Sequence, residues 1–139
     1  THFCIGSTID LNRDIKQEVK LTENKISAGA DFFIAQATHD ITTIKQFLSH
    51  YKEINERGLS APVFYGVQIL SEGSLTFGKL PSQIEEDLAK GKSGSDIATT
   101  LMQSMVDIGI KTFYIIPPIL RGGRRDYAAA QQTIRQFLR

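Results

Sequence analysis

Residues 27–34, with the sequence SAGADFFI, join an amphipathic stretch to an apolar run through a single glycine. The same pattern recurs in residues 57–64, RGLSAPVF, and in residues 108–115, IGIKTFYI. The three glycines are Gly29, Gly58 and Gly109. A glycine just past a helix suits the left-handed conformation that ends many helices, and a short apolar run without polar alternation is typical of a strand in a parallel sheet. Each junction therefore predicts a helix followed by a buried strand.

Between the apolar runs, hydrophobic residues recur at the spacing of one helical face. Four segments show such a stripe: residues 15–26, 41–54, 97–108 and 127–138. Residues 82–90 predict one more short helix, with Ser82 and Glu85 as a capping box. A further apolar run, residues 3–7, predicts the first strand. The predicted order is β-α-β-α-β-α-α-β-α in one domain that spans residues 1–139.

Strands that alternate with helices indicate a parallel sheet with right-handed crossovers. Such a sheet is either an open doubly wound sheet or half of a (β/α)₈ barrel, and units of about 35 residues fit both. The first unit argues against a dinucleotide-binding domain, because the stretch that follows Gly6 lacks the G-x-G-x-x-G spacing.

The composition narrows the function classes. The chain has 139 residues, 41% of them hydrophobic and 22% charged, and a formal net charge of +1, so nothing points to nucleic acid. No apolar stretch approaches the roughly 20 residues that span a bilayer. The single cysteine, Cys4, cannot form an internal disulfide, and its apolar neighbours predict a buried thiol in a strand. We therefore expect a cytoplasmic protein that binds neither membrane nor nucleic acid.

Candidate functional residues follow the strands, because parallel α/β folds place their sites at the carboxyl ends of strands. Gln36 closes the second strand, where its amide could recognise the edge of a heterocycle or bond to nearby backbone. His39 is either an acid or base or a structural loop histidine. Residues 121–125, RGGRR, follow the last strand and predict an anion clamp or a solvated loop. Gly66 and Gln68 are the corresponding polar positions of the third strand.

Residues 25–36, KISAGADFFIAQ, resemble the methylenetetrahydrofolate reductase family. That family reads there as lysine, Ala-Gly-Ala-(Asp/Asn), an apolar strand and Thr-Gln. Asp40 matches an aspartate that follows, residues 62–67 resemble the family's seventh strand, and residues 113–114 match its eighth. The resemblance implies an α/β fold of parallel strand–helix units, the C-terminal half of a TIM barrel with four strands and flanking helices.

The resemblance also implies a function. The family reduces methylenetetrahydrofolate to methyltetrahydrofolate with FAD, and NAD(P)H is the reductant. Carried over, Gln36 contacts the folate pterin or the nicotinamide, and Arg121 is the arginine nearest to the expected contact with the folate tail. Lys25 approaches the flavin phosphates, and Glu18 sits where the family places an acidic flavin contact. Thr8 is a further expected cofactor contact, because it directly follows the first apolar run.

The chain departs from the family pattern at several strand ends. Thr8 and Ile9 stand where the family has an aromatic residue and proline, Ile69 replaces a proline, and residues 116–118, IPP, replace Leu-Asn-Arg. These departures keep an alternative open, a non-catalytic or divergent pterin-binding, folate-binding or methyl-transfer accessory module. The family's earlier strands have no counterpart in residues 1–139, so we expect the fragment alone to be inactive. We also expect a missing N-terminal half-barrel or a homo-oligomer partner to complete it.

Overall fold

A computed structural model describes residues 3–139 of the chain and confirms the predicted order of elements. A short 3₁₀ turn, Arg121–Gly123, precedes the last helix. The strands are β1 (Gly6–Ile9), β2 (Phe32–Ala35), β3 (Val63–Gln68) and β4 (Phe113–Ile116). The helices are α1 (Ile15–Ser27), α2 (Ile41–Asn55), α3 (Ser82–Ala89), α4 (Gly94–Asp107) and α5 (Tyr127–Phe137).

The four strands form one parallel sheet in the order β1-β2-β3-β4. Gly6 pairs with Phe32 at the start of β1, and Ile34 pairs with Phe64 between β2 and β3. Sequential parallel strands joined by helices are the repeat of a (β/α)₈ barrel, and this chain has four of the eight units. The fold class predicted from the sequence, half of a TIM barrel, is confirmed. No helix within residues 3–139 has both the length and the apolar character needed to span a membrane.

The chain divides into two compact units, and the division falls inside β3 after Tyr65. The first unit comprises residues 1–36 and 42–65. Its sheet has one buried face and one open face, because Phe33 and Ala35 are fully buried whereas Ile34 is 43% exposed and Phe64 38% exposed. The buried apolar side chains of this unit are Ile9, Leu11, Val19, Phe33, Ala35, Ile44, Phe47, Tyr51, Val63 and Tyr65.

The second unit comprises residues 37–41 and 66–139. Helix α4 supplies much of its core, and the predicted stripe on that helix is confirmed at Ile97, Leu101 and Met105. A buried hydrogen bond joins α4 to α5, because the hydroxyls of Ser95 and Thr133 lie 2.8 Å apart.

Several local predictions are wrong. The first strand is Gly6–Ile9 rather than residues 3–7, and Cys4 is exposed rather than buried. Helix α3 begins at Ser82 with Pro81 as its N-cap and no capping side chain, so the predicted capping box does not form. Proline can serve there because its fixed φ and missing N–H suit a helix start.

The predicted left-handed glycines are confirmed at two junctions of three. Gly29 has φ 102° and Gly109 has φ 91°, whereas after α2 the left-handed residue is Glu56, with φ 54°, and not Gly58. The chain reverses two residues earlier there than the sequence pattern indicates.

The apolar stripe predicted on α5 is confirmed only at Phe137, whose ring packs edge-on against Phe113 of β4 with the ring centroids 6.0 Å apart. Tyr127 is 67% exposed, Ile134 is 41% exposed and Leu138 is 77% exposed. The buried side chain of this helix is instead Thr133.

Candidate functional site

A polar cluster surrounds Glu18 near the end of β1 in the first unit. Helix α1 begins after Asp14, whose side chain accepts a hydrogen bond from the Gln17 N–H at 3.0 Å, as an N-cap does. This start places Glu18 in the first turn and Lys25 seven residues later, two helical turns along the same face. The backbone N–H of Asp10 donates to Oε1 of Glu18 at 3.0 Å, so the carboxylate also anchors the chain that leaves the strand.

Two cations flank the Glu18 carboxylate, which is only 1% exposed. Nη1 of Arg13 lies 3.3 Å from its Oε2, and Nζ of Lys25 lies 3.7 Å from its Oε1. Nζ of Lys25 also donates to the carbonyl oxygen of Thr8 at 2.5 Å. A buried carboxylate requires such charge compensation. Oε2 of Glu18 accepts no hydrogen bond within residues 3–139, so the nearby positive charge of Arg13 is what compensates its negative charge.

The structure thus brings together the three residues predicted to contact a cofactor, Thr8, Glu18 and Lys25. The Lys25 side chain is 29% exposed and that of Arg13 is 46% exposed, so both present cationic donors to solvent beside the exposed Thr8. Cationic donors suit a diphosphate group. Glu18 points inward and holds the two cations in place.

Gln36 follows β2 directly and is fixed through its backbone, because its N–H donates to the carbonyl of Ile9 at 2.9 Å. Its side chain is exposed and makes no hydrogen bond to the described part of the chain. The amide donor and acceptor are therefore both available to a ligand.

A second cluster, in the second unit, centres on Gln68 at the end of β3. Its Nε2 donates to the Leu75 carbonyl at 2.7 Å, and its Oε1 accepts from the Phe77 N–H at 2.8 Å. The side chain of His39, which is 5% exposed, lies near the Gln68 amide. Burial lowers the pKa of His39 below its ordinary value of 6.5, and the nearby Gln68 amide raises it by less, so the balance favours the neutral imidazole.

Sequence reasoning placed Gln68 only among the residues after the third strand. The available signal was a glutamine inside an apolar run, since a glutamine that is 2% exposed has to satisfy its amide internally. His39 was recognised as a candidate, but its partner was not.

The loop that carries Arg121 is held by backbone bonds. Gly122 and Gly123 are left-handed, with φ 75° and 81°, and the Leu120 N–H donates to the Arg124 carbonyl at 2.9 Å. Arg121 and Arg124 are exposed and form no ion pair with an acidic residue in the described range. The loop therefore presents unpaired guanidinium groups, and it belongs to the second unit whereas Gln36 belongs to the first.

The second unit also holds a cavity of about 670 Å³ between the loop after β3 and the α3–α4 connection. Its polar lining side chains are Ser71, Glu72, Ser74, Thr76, Lys92 and Ser93. None of the residues predicted to bind cofactor or substrate lines it.

Comparison with known proteins identifies the fold's relatives. The family model for methylenetetrahydrofolate reductase matches residues 6–117. The chain belongs to the methylenetetrahydrofolate reductase family. Within that match lie Thr8, Glu18, Lys25 and Gln36, while Arg121 lies beyond it. The search of curated proteins returned no match.

Among solved structures, this reductase-family chain is similar to an uncharacterized protein from Clostridium thermocellum that binds two copies of 5-methyl-5,6,7,8-tetrahydrofolic acid. The TM-score is 0.68 at 19% sequence identity, and the alignment covers 96% of this chain. The chain spans 53% of the length of that structure. At this identity the likeness shows a shared fold.

Proposed function

We propose that this chain forms the folate-binding half of a flavin-dependent reductase that converts methylenetetrahydrofolate to methyltetrahydrofolate. The observation that carries the proposal is the cluster of Thr8, Glu18 and Lys25 at the end of β1. The family resemblance implies cofactor contacts for Glu18 and Lys25, and Thr8 lies beside them. Membership of the family supports the reaction class, and the solved relative that binds methyltetrahydrofolate supports the ligand.

In this proposal Lys25 and Arg13 hold the flavin diphosphate. Both side chains are partly exposed, and Glu18 holds them from behind. When bound, FAD supplies the hydride that NAD(P)H has delivered to it. Thr8 adds a hydroxyl on the exposed face of β1. These residues bind and orient the cofactor, since preorganised cations need little rearrangement to meet the phosphates.

Gln36 and Arg121 are the proposed substrate contacts. The amide of Gln36 offers one donor group and one acceptor, which match the amide-like edge of a pterin. Arg121 presents an unpaired guanidinium, which suits the carboxylates of the folate tail. The exposed thiol of Cys4 accords with the cytoplasmic location that the proposal includes.

A second candidate is a folate-binding module without flavin chemistry. The observation that favours it is the bond of 2.5 Å from Lys25 to the Thr8 carbonyl, because that bond already occupies one donor of the ammonium group. The replacement of the family's Leu-Asn-Arg by residues 116–118 also favours this second candidate.

Titration of the purified protein with FAD and, separately, with methyltetrahydrofolate distinguishes the candidates. We expect FAD binding to perturb the flavin absorbance, and Lys25→Met to weaken that binding about tenfold or more. Lys20→Met is the matched control, because Lys20 is exposed on the same helix. Folate binding with no FAD binding selects the second candidate, and absence of both overturns the proposal.

The proposal includes another half-barrel, supplied by the same polypeptide or by a second copy of the chain. Two apolar surfaces support it, the open sheet face at Ile34 and Phe64 and, separately, the exposed stripe of Tyr127, Ile134 and Leu138 on α5. A TIM barrel buries both the inner face of its strands and the contacts between neighbouring helices. Light scattering shows whether a second copy of the chain supplies the other half-barrel, because a dimer has twice the mass of the monomer. If it does, Phe64→Glu should yield the monomer.

A further inference from the structure

The loop that carries Arg121 is the tip of a short hairpin, residues 118–126, in the second unit. Within this hairpin Ile119 and Arg125 form an isolated antiparallel bridge. The turn between them is completed by glycines in the left-handed conformation, such as Gly122 with φ 75°. The backbone of the hairpin therefore sets the conformation of its tip, where the Arg121 side chain is exposed.

The hairpin is joined to the loop after β3 by a second bridge. Ile119 pairs on its other side with Leu75, whose N–H donates to the Ile119 carbonyl at 2.8 Å. The Leu75 side chain is 63% exposed, whereas Ile119 is 7% exposed. The link at Leu75 is therefore a backbone hydrogen bond and not a packing contact of its side chain.

The side chain of Gln68, the last residue of β3, holds that backbone segment in turn. Its Nε2 donates to the Leu75 carbonyl at 2.7 Å, and its Oε1 accepts from the Phe77 N–H at 2.8 Å. Gln68 is 2% exposed, so the loss of either bond leaves a buried polar group without a partner. A continuous series of hydrogen bonds thus runs from β3 through Leu75 to Ile119 and the hairpin.

We propose that Gln68 is a positioning residue for recognition of the folate tail. Through Leu75 and Ile119 it holds the hairpin so that Arg121 meets the tail carboxylates. A guanidinium binds a carboxylate best in a fixed planar geometry, so a displaced hairpin loses affinity even though its arginine is intact. This inference rests on the proposed function for the identity of the ligand and for the role of Arg121.

The test compares two ligands, methyltetrahydrofolate and a methyltetrahydropterin that lacks the tail. We expect Gln68→Met to lower the affinity for methyltetrahydrofolate about tenfold and to leave the affinity for the tailless pterin within about twofold of the parent. Gln132→Met is the matched control and should change neither affinity, because Gln132 is an exposed glutamine on α5 of the same unit. A role of Gln68 in folding alone would weaken both ligands alike. Equal losses for the two ligands, or no loss for either, overturn the inference.

A double variant tests whether Gln68 acts through Arg121. In the Arg121→Ala background, Gln68→Met should lower methyltetrahydrofolate affinity no further, because the contact that it positions is already absent. Additive losses overturn the inference.

The Leu75 link gives an independent test if Gln68→Met fails to fold. Leu75→Pro removes the N–H that bonds Ile119 and should lower methyltetrahydrofolate affinity about tenfold, whereas Leu75→Ala keeps the N–H and should retain the affinity. Equal affinities of the two Leu75 variants overturn the inference. A parent protein that binds neither ligand overturns the proposed function and this inference with it, whereas a parent that binds folate while the variants fail these comparisons overturns the inference alone.

Discussion

The hydroxyl of Tyr114 on β4 lies directly against the α-carbon of Gly66 on β3. A β-carbon at position 66 would come within 2.6 Å of the hydroxyl oxygen and 3.0 Å of the Ala37 backbone nitrogen. Real side chains do not approach so closely, so the glycine is required by the tyrosine beside it.

The first prediction follows from this contact. Gly66→Ala should destabilise the protein by about 1–3 kcal/mol, because the added methyl group displaces a partly buried ring and nearby backbone. Urea denaturation measures the effect. Gly58→Ala is the control, since a β-carbon at position 58 would meet no atom within 4 Å and the φ of Gly58 is not left-handed. That variant should be neutral or stabilised by up to about 1 kcal/mol, and equal effects of the two substitutions would contradict the steric argument.

The second prediction concerns the buried carboxylate. Glu18→Gln should destabilise the protein by about 1–3 kcal/mol, because it removes the charge that compensates Arg13 and Lys25 while keeping the shape. Glu53→Gln is the matched control, since Glu53 is 67% exposed and pairs with His50 only at 4.0 Å. The control should stay within about 0.5 kcal/mol of the parent. A Glu18 variant as stable as the control would show that the ion pairs add nothing.

The third prediction is a pH dependence of stability from His39. Its pKa is lowered from 6.5 in the folded protein, mainly by burial, so the unfolded chain takes up a proton first as the pH falls. The stabilising contribution is therefore fully present above pH 6.5 and declines below it, until the folded-state pKa is reached. The slope cannot exceed about 1.4 kcal/mol per pH unit for one group.

Unfolding free energies between pH 5 and 8 test this dependence, with about five pH values per variant to define the slope. His39→Asn should flatten the decline below pH 6.5. His50→Asn is the control and should leave the decline in place, because the His50 side chain is 34% exposed on α2 and lies outside the buried pair of His39 and Gln68. Parallel pH profiles for the parent and His39→Asn would contradict the prediction.

The sequence predicts the order of the elements well because each helix-to-strand junction is encoded locally. The strand Phe32–Ala35 and the stripe on α4 need only their own periodicity to be recognised. The predicted bounds of β1 are wrong because residues 3–5 are as apolar as a strand but lie outside the paired segment Gly6–Ile9. The α5 stripe predicts the packing of Phe137 correctly but not that of Tyr127, Ile134 and Leu138, since apolar spacing identifies a helix face but not what covers it.

The candidate site was predictable only in part. Glu18 and Lys25 are predicted through a family resemblance, and Thr8 is predicted from its place after the first strand. In the structure a single carboxylate, that of Glu18, organises the group. The side chains of His39 and Gln68 lie near each other although the residues are 29 positions apart, and no local pattern in the sequence signals such a contact. Arg13 was missed because an exposed arginine near a helix start is usually a solvated surface residue.

The fourth prediction addresses the substrate contact most directly. Gln36→Ala should weaken methyltetrahydrofolate binding about fivefold to a hundredfold, because the loss of one or two hydrogen bonds to a heterocycle corresponds to about 1–3 kcal/mol. Stability should be nearly unchanged, since the Gln36 side chain is exposed and its structural bond, from its N–H to the Ile9 carbonyl, uses backbone atoms that alanine keeps. Calorimetric titration measures the affinity. Gln46→Ala is the control, an exposed glutamine on α2. If the Gln36 variant binds methyltetrahydrofolate as tightly as the Gln46 variant, Gln36 is not a substrate contact. Its amide at the end of β2 is then a solvated side chain.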